Sequence, residues 1–197
     1  MTIFFGNPNL DINELLLGFL GAFSHVQTYI DDVLADLFFK KRMPKAANFV
    51  ADRVVSRIRD DERTKLVQAI AAELGTDAEL DSFNQVYMEV KRLRDEVAHA
   101  ARFSSTADQV SVTRNYISSA TSGDIEVRNI DRAELREALK KLRWIEAQVM
   151  YVLYSSELLT GLFRGDRPLG VAKPTRLPRD WNGVVFIDLQ DPGRCTM

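Results

Sequence analysis

Apolar side chains recur at helical spacing near the start of this chain, at Leu16, Phe19, Leu20, Phe23, Val26, Ile30, Val33, Leu34 and Leu37. At about 3.6 residues per turn they fall on one stripe, so the segment is expected to fold as a long amphipathic helix that buries it. Asp11 stands three residues before Glu14, the spacing of a reciprocal N-terminal cap. Lys40, Lys41 and Arg42 suit a last turn, where the helix dipole favours cations. The most apolar part, Leu15 to Val26, is interrupted by Ser24 and His25. It is shorter than the roughly 20 residues that span a bilayer, and no basic n-region precedes it. The expectation is a core helix, with neither a signal peptide nor a membrane partner.

The same reasoning continues along the chain. Pro44 can open a second helix with Phe49, Val50, Val54 and Ile58 on its buried side. A third begins near Asp60 or Asp61, carries Leu66, Val67, Ile70 and Leu74, and ends at Gly75. A fourth starts near Asp81, shows the seam Phe83, Val86, Val90, Leu93 and Val97, and runs to about Ala101. Alternation then replaces helical spacing from Gln109 to Ile117. With the turn signal Thr121-Ser122-Gly123-Asp124 and the pair Ile125 and Val127, it predicts a β-hairpin over about 109–129. Asp131 and Glu134 repeat the capping spacing before a long fifth helix marked by Leu135, Ala138, Leu139, Leu142, Ile145, Val149 and Val152. After Gly161 the chain turns rich in Gly, Pro, Arg and Asp, with Val184 to Ile187 as a short strand or strap. The fold class expected is all-α: a helical bundle over 1–161 with the hairpin inserted before its last long helix, then an irregular basic tail over 162–197.

Charge and cysteine usage narrow the chemistry. The chain has 26 basic and 28 acidic residues, so binding to nucleic acid needs a local basic patch rather than overall charge. Cys195 is the single cysteine, which allows no intrachain disulfide and no multi-cysteine metal site and suits the cytoplasm. Two histidines without a cysteine cluster argue against zinc. There is no Gly-rich phosphate loop and no GxSxG elbow. No metal and no cofactor is expected.

The stretch that can carry chemistry is Lys91-Arg92-Leu93-Arg94-Asp95-Glu96-Val97-Ala98-His99-Ala100-Ala101-Arg102. On a helix Leu93 and Val97 point to the core and Arg94 lies at the edge of that seam. Asp95 and His99, four apart, share a face. Arg94 and His99 are about 140° apart, a gap a long arginine can bend round. Small Ala98 leaves room for a ligand or a second chain. Histidine moves protons near neutral pH, arginine grips phosphate with two prongs, and aspartate can orient an imidazole. Lys91, Arg92 and Arg102 add positive charge for an RNA backbone. These parts suit phosphodiester chemistry.

Arg-polar-x-x-Ala-His at a helix end resembles the signature of the HEPN family (higher eukaryotes and prokaryotes nucleotide-binding domains). That signature is an arginine, four to six residues, then histidine, with the first intervening residue commonly Asn or Asp. The resemblance covers about residues 10–160. It implies a metal-independent endoribonuclease, of the kind found in toxin–antitoxin, anti-phage and stress systems, acting as a homodimer that brings two motifs together. In that reading His99 is general base or acid, Arg94 stabilises charge on the pentavalent phosphate, and Asp95 positions both. A neutralising antitoxin or regulatory protein is an implied partner. The chain departs from the pattern in having Asp95 where asparagine is common. It also has Ala101 where one subfamily carries a tyrosine.

The alternative is a HEPN-like dimer module that binds a nucleotide or protein without cutting, and the near-neutral charge leans that way. A structural bundle with an accidental motif is a third reading. His25 reads as a helix-face or packed residue, and Trp144 and Tyr151 as packing groups. Asp31-Asp32 reads as a solvated face, and Cys195 as a tail thiol. Arg164, Arg167, Lys173, Arg176 and Arg179 make the tail basic, either for solubility or as an RNA-backbone contact.

Overall fold

The first helix opens on a closed reciprocal cap. The Glu14 amide donates to Asp11 Oδ1 at 2.8 Å and the Asp11 amide donates to Glu14 Oε2 at 2.9 Å. The computed structural model describes residues 10–33, 45, 49, 57–113, 127–155, 168–191 and 195–196. Among them are four bounded α-helices: α1 (Ile12–Val33), α2 (Asp60–Glu73), α3 (Phe83–Ala98) and α4 (Arg132–Tyr154). The expected end of the first helix at Lys40 to Arg42 and the hairpin turn at Thr121 to Asp124 lie outside the described residues. So does most of the helix opened by Pro44. Of that helix's expected buried side, Phe49 is described and is 67% exposed. No helix among the described residues is long and apolar enough to cross a membrane.

The all-α expectation is corrected, because two three-stranded antiparallel sheets accompany the helices and the fold is mixed α and β. The first has the order β1 (Arg102–Ser105), β2 (Gln109–Thr113), β3 (Val127–Asp131). Its β2–β3 pair is the expected hairpin, in the register Val110 to Ile130 and Val112 to Arg128. The added strand β1 follows α3 directly and pairs Phe103 with Val112. The second sheet, β4 (Leu169–Val171), β5 (Phe186–Asp188) and β6 (Cys195–Thr196), replaces the irregular tail.

Both differences arise because these strands carry no local pattern and are set by pairing with other segments. β1 holds one apolar residue and is exposed along its whole length, so it carries no alternation to read. The tail strands are three residues or fewer, too short for a pattern, and their stability comes from pairing with distant partners.

The chain divides into two compact units, Met1–His25 with Met88–Leu142, and Val26–Tyr87 with Arg143–Met197. In the first, Phe19, Phe23, Val90, Leu93, Val110, Val112, Ile130, Leu135 and Leu139 are buried. At the start of α4 the Glu134 amide donates to Asp131 Oδ1 at 2.7 Å. The Glu134 carboxylate does not complete the reciprocal cap; it is engaged by Arg128.

In the second unit α2 closes with a left-handed glycine. Gly75 has φ 64°, its amide donates to the Ala72 carbonyl and the Thr76 amide to that of Ala71. Asp31, read from sequence as solvated, instead pairs with Arg63 at 2.8 Å. Asp60 accepts from Gln27 at 2.9 Å, Arg63 at 2.7 Å and Tyr87 at 3.2 Å. The segment after β4 is pinned by its carbonyl at Thr175, which accepts from Trp144 Nε1 at 2.8 Å and Gln148 Nε2 at 3.2 Å. Tyr151 donates to Asp77 at 2.5 Å, and burial with that bond pushes its hydroxyl up to about 12.

Candidate active site

The candidate residues sit where α3 gives way to β1, inside the first unit. Ala98-His99-Ala100-Ala101 is a sequence that favours continued helix, yet α3 stops at Ala98. The His99 amide still donates to the Asp95 carbonyl at 3.0 Å, and the Ala100 amide tightens onto Val97 at 3.2 Å. The Ala101 amide leaves the helix altogether and donates to Thr113 of β2 at 2.8 Å. Strand pairing thus ends the helix, and it leaves His99 exposed at the junction.

Arg94 and Asp95 are brought together; Asp95 and His99 are not. The Arg94 Nη1 lies 2.9 Å from Asp95 Oδ1, and the Lys91 Nζ donates to Asp95 Oδ2 at 2.5 Å. Both carboxylate oxygens are therefore occupied by cations of the same helix. The Arg94 guanidinium also lies over the Phe23 ring, 4.7 Å from its centroid. Such a contact adds about 0.5–2 kcal/mol and fixes the plane of the guanidinium. The next carboxylate, Glu96, receives Arg128 of β3 at 3.4 Å. Arg128 holds Glu134 as well, so β3, α3 and the start of α4 share one ion-pair cluster. Farther up α3, Glu89 pairs with Lys141 at 2.9 Å.

Three polar side chains at this end of the helix stand apart from that pairing. Arg92, His99 and Arg102 are exposed and, among the described residues, have no ion pair and no side-chain hydrogen bond. His99 stands seven positions after Arg92 and keeps the helical amide bond to Asp95, which in helical register places the two about 20° apart and about 10 Å along the axis. They form one open stripe that ends on the imidazole. Arg102 follows as the first residue of β1. The basic set foreseen around the motif therefore splits, with Lys91 neutralised by Asp95 while Arg92 and Arg102 remain open.

The tail cations are occupied. Lys173 pairs with Asp77 at 3.0 Å and Glu79 at 3.4 Å, Arg176 with Asp81 at 2.9 Å, and Arg179 with Asp180 at 3.6 Å. Arg164 and Arg167 lie outside the described residues. Trp144 is fully buried against Phe83 with ring centroids 6.2 Å apart, a packing role as expected. His25 is exposed on α1, and Cys195 lies in β6. No group of three His, Cys, Asp or Glu side chains among the described residues is placed to hold a metal ion.

Sequence reasoning missed two members of the site. Phe23 was legible only as a core residue. Arg128 falls on a strand whose register with β2 had to be seen before its reach to Glu96 was evident.

Comparison of the chain with protein-family models, curated proteins and solved structures finds no significant match.

Proposed function

We propose that the chain is a metal-independent endoribonuclease of HEPN type, cytoplasmic, working as a homodimer in a toxin–antitoxin, anti-phage or stress response. The observation that supports this most is what stands at the end of α3: Arg94 in its last turns, His99 exposed one residue past its end, and Arg92 and Arg102 exposed and without an ion pair among the described residues. These are the parts that cleavage of RNA by its own 2′-hydroxyl requires. His99 takes the 2′-hydroxyl proton, the 2′-oxygen attacks phosphorus, and the bond to the 5′-oxygen breaks. The 5′-oxygen receives a proton from the second copy's equivalent histidine. Arg94, released from Asp95, lies against the charge that builds on the phosphate oxygens. The products are a 2′,3′-cyclic phosphate and a 5′-hydroxyl.

The pairing of Arg94 with Asp95 favours a second reading, a dimer module that binds a nucleotide or protein without cutting. One experiment separates the two. Labelled RNAs are incubated with EDTA and either wild type or His99→Ala at equal folded concentration, and the cut ends are mapped. Cleavage by wild type alone, leaving cyclic phosphate ends, is the expected result. An intact RNA pool with a folded wild-type dimer turns the assignment to the binding module.

A further inference from the structure

We propose that Asn182 is a site of spontaneous deamidation in the folded protein, its carboxamide closing on the Gly183 backbone nitrogen to form a succinimide. The site lies inside the second unit, shares no residue with the candidate active site and does not depend on the ribonuclease reading.

The sequence supplies the reactive pair. Asn182 alone among the asparagines of the chain is followed by glycine. With no Cβ, Gly183 leaves its own nitrogen open to approach. The turn supplies the geometry. Asn182 is exposed, between a buried Trp181 and a half-buried Gly183. The Val184 amide donates to Asn182 Oδ1 at 3.0 Å, which folds the carboxamide back over the Gly183 peptide. Trp181 Nε1 donates to the Val184 carbonyl at 3.2 Å and fixes the far side of the same turn. Gly183 sits at φ 85°, and among the described residues its amide donates no hydrogen bond. The nucleophile is thus unencumbered, and the electrophile is held and polarised. Charge that develops on Oδ1 as the nitrogen adds is met by the Val184 N–H. Holding both groups in one turn also lowers the entropic barrier to ring closure.

A base from solvent takes the Gly183 amide proton, the nitrogen forms a bond to Asn182 Cγ, and the Cγ–Nδ2 bond breaks. Nδ2 takes a proton from water and leaves as ammonia. Water then opens the imide at either carbonyl. Opening at Cγ gives an aspartate with the ordinary main chain, whose carboxylate can still accept from the Val184 amide. Opening at the main-chain carbonyl gives isoaspartate, which routes the chain through Cβ and Cγ and lengthens it between Trp181 and Val184. Little slack exists there. The Val185 carbonyl accepts from the Ala172 amide at 2.8 Å, and β5 pairs with β4 from Phe186 onward. The isoaspartate form should therefore lose the indole bond to Val184 and expose Trp181, which is 6% exposed in the intact turn.

The test incubates the full chain, folded, in mildly alkaline buffer, and maps aspartate and isoaspartate by peptide mass spectrometry over time. Conversion at Asn182 should be at least about tenfold faster than at any other asparagine, the ratio given by a barrier difference of about 1.4 kcal/mol. Gly183→Ala should slow it severalfold, and Asn182→Gln should remove the product. Asn182 that stays intact in the folded chain while the same chain in urea converts overturns the proposal, as does no conversion in either. A folded-state rate that climbs steeply with urea below the unfolding transition overturns it too, since the reaction then belongs to opened molecules. The isolated isoaspartate form should show red-shifted tryptophan emission and a lower urea midpoint, whereas Asn182→Asp should match wild type in both. Emission and midpoint of the isoaspartate form equal to those of wild type would overturn the account of the turn.

Discussion

Arg94 and Asp95 are neighbours in the chain and partners in space, joined at 2.9 Å although successive helical residues diverge by about 100°. The contact holds the guanidinium over Phe23 and sets its charge against a carboxylate rather than a phosphate. Asp95→Asn removes that charge and leaves the helix intact. A partly exposed ion pair contributes up to about 1 kcal/mol, so releasing Arg94 should raise kcat/KM for RNA cleavage by about two- to fivefold. Single-turnover cleavage measures it. A fall instead, from a variant with unchanged oligomeric state, would show that the carboxylate assists the reaction.

The second prediction concerns the buried network of the second unit. Burial alone pushes the Asp60 carboxyl up, but the hydrogen bonds from Gln27, Arg63 and Tyr87, with the Arg63 charge, outweigh it and hold it below its ordinary 3.8. A group with a depressed folded pKa contributes stability that is complete above the unfolded value and is lost as pH falls through the folded one. Asp60→Asn should cost about 1.5–3 kcal/mol near pH 7. That difference from wild type should shrink as pH drops below 3.8. Urea unfolding across acid pH checks it; a constant difference down to the lowest pH would mean that the charge is not what stabilises.

Gly75 gives a simpler test. Its φ of 64° is left-handed, and a Cβ added there meets nothing within 4 Å. The cost of Gly75→Ala is therefore purely conformational, about 1–2 kcal/mol. Gly75→Asn should cost less, since asparagine tolerates this region. Urea midpoints that do not move for the alanine variant would contradict the left-handed cap.

How much of this could be read beforehand follows from where each determinant lies. The caps at Asp11 and Asp131, the glycine at 75 and the apolar stripes are local, and the elements form where those signals stand. The end of α3 is not local. Ala98 to Ala101 favours helix, and only the carbonyl of Thr113 diverts it. β1 and the tail strands fail for the same reason. Within the site, the spacing placed Asp95 equally well for Lys91, four before it, and for His99, four after it. The Lys91 ammonium takes Oδ2, and α3 ends one residue before His99. Spacing alone could not decide that competition.

The last prediction separates the two sets of basic residues. Each cation that neutralises a phosphate of a single strand adds about 0.7 to the slope of log affinity against log salt. Arg92 and Arg102 are unpaired among the described residues, whereas Lys173 and Arg176 already face Asp77, Glu79 and Asp81. The double substitution of Arg92 and Arg102 by alanine should weaken binding of single-stranded RNA and flatten the salt slope by about 1.4. The same treatment of Lys173 and Arg176 should leave both affinity and slope unchanged, because freeing the carboxylates removes no phosphate contact. Titrations of a labelled RNA at several salt concentrations read both quantities. A flattened slope for the tail pair, with wild-type slope for Arg92 and Arg102, would move the RNA-binding surface away from the end of α3.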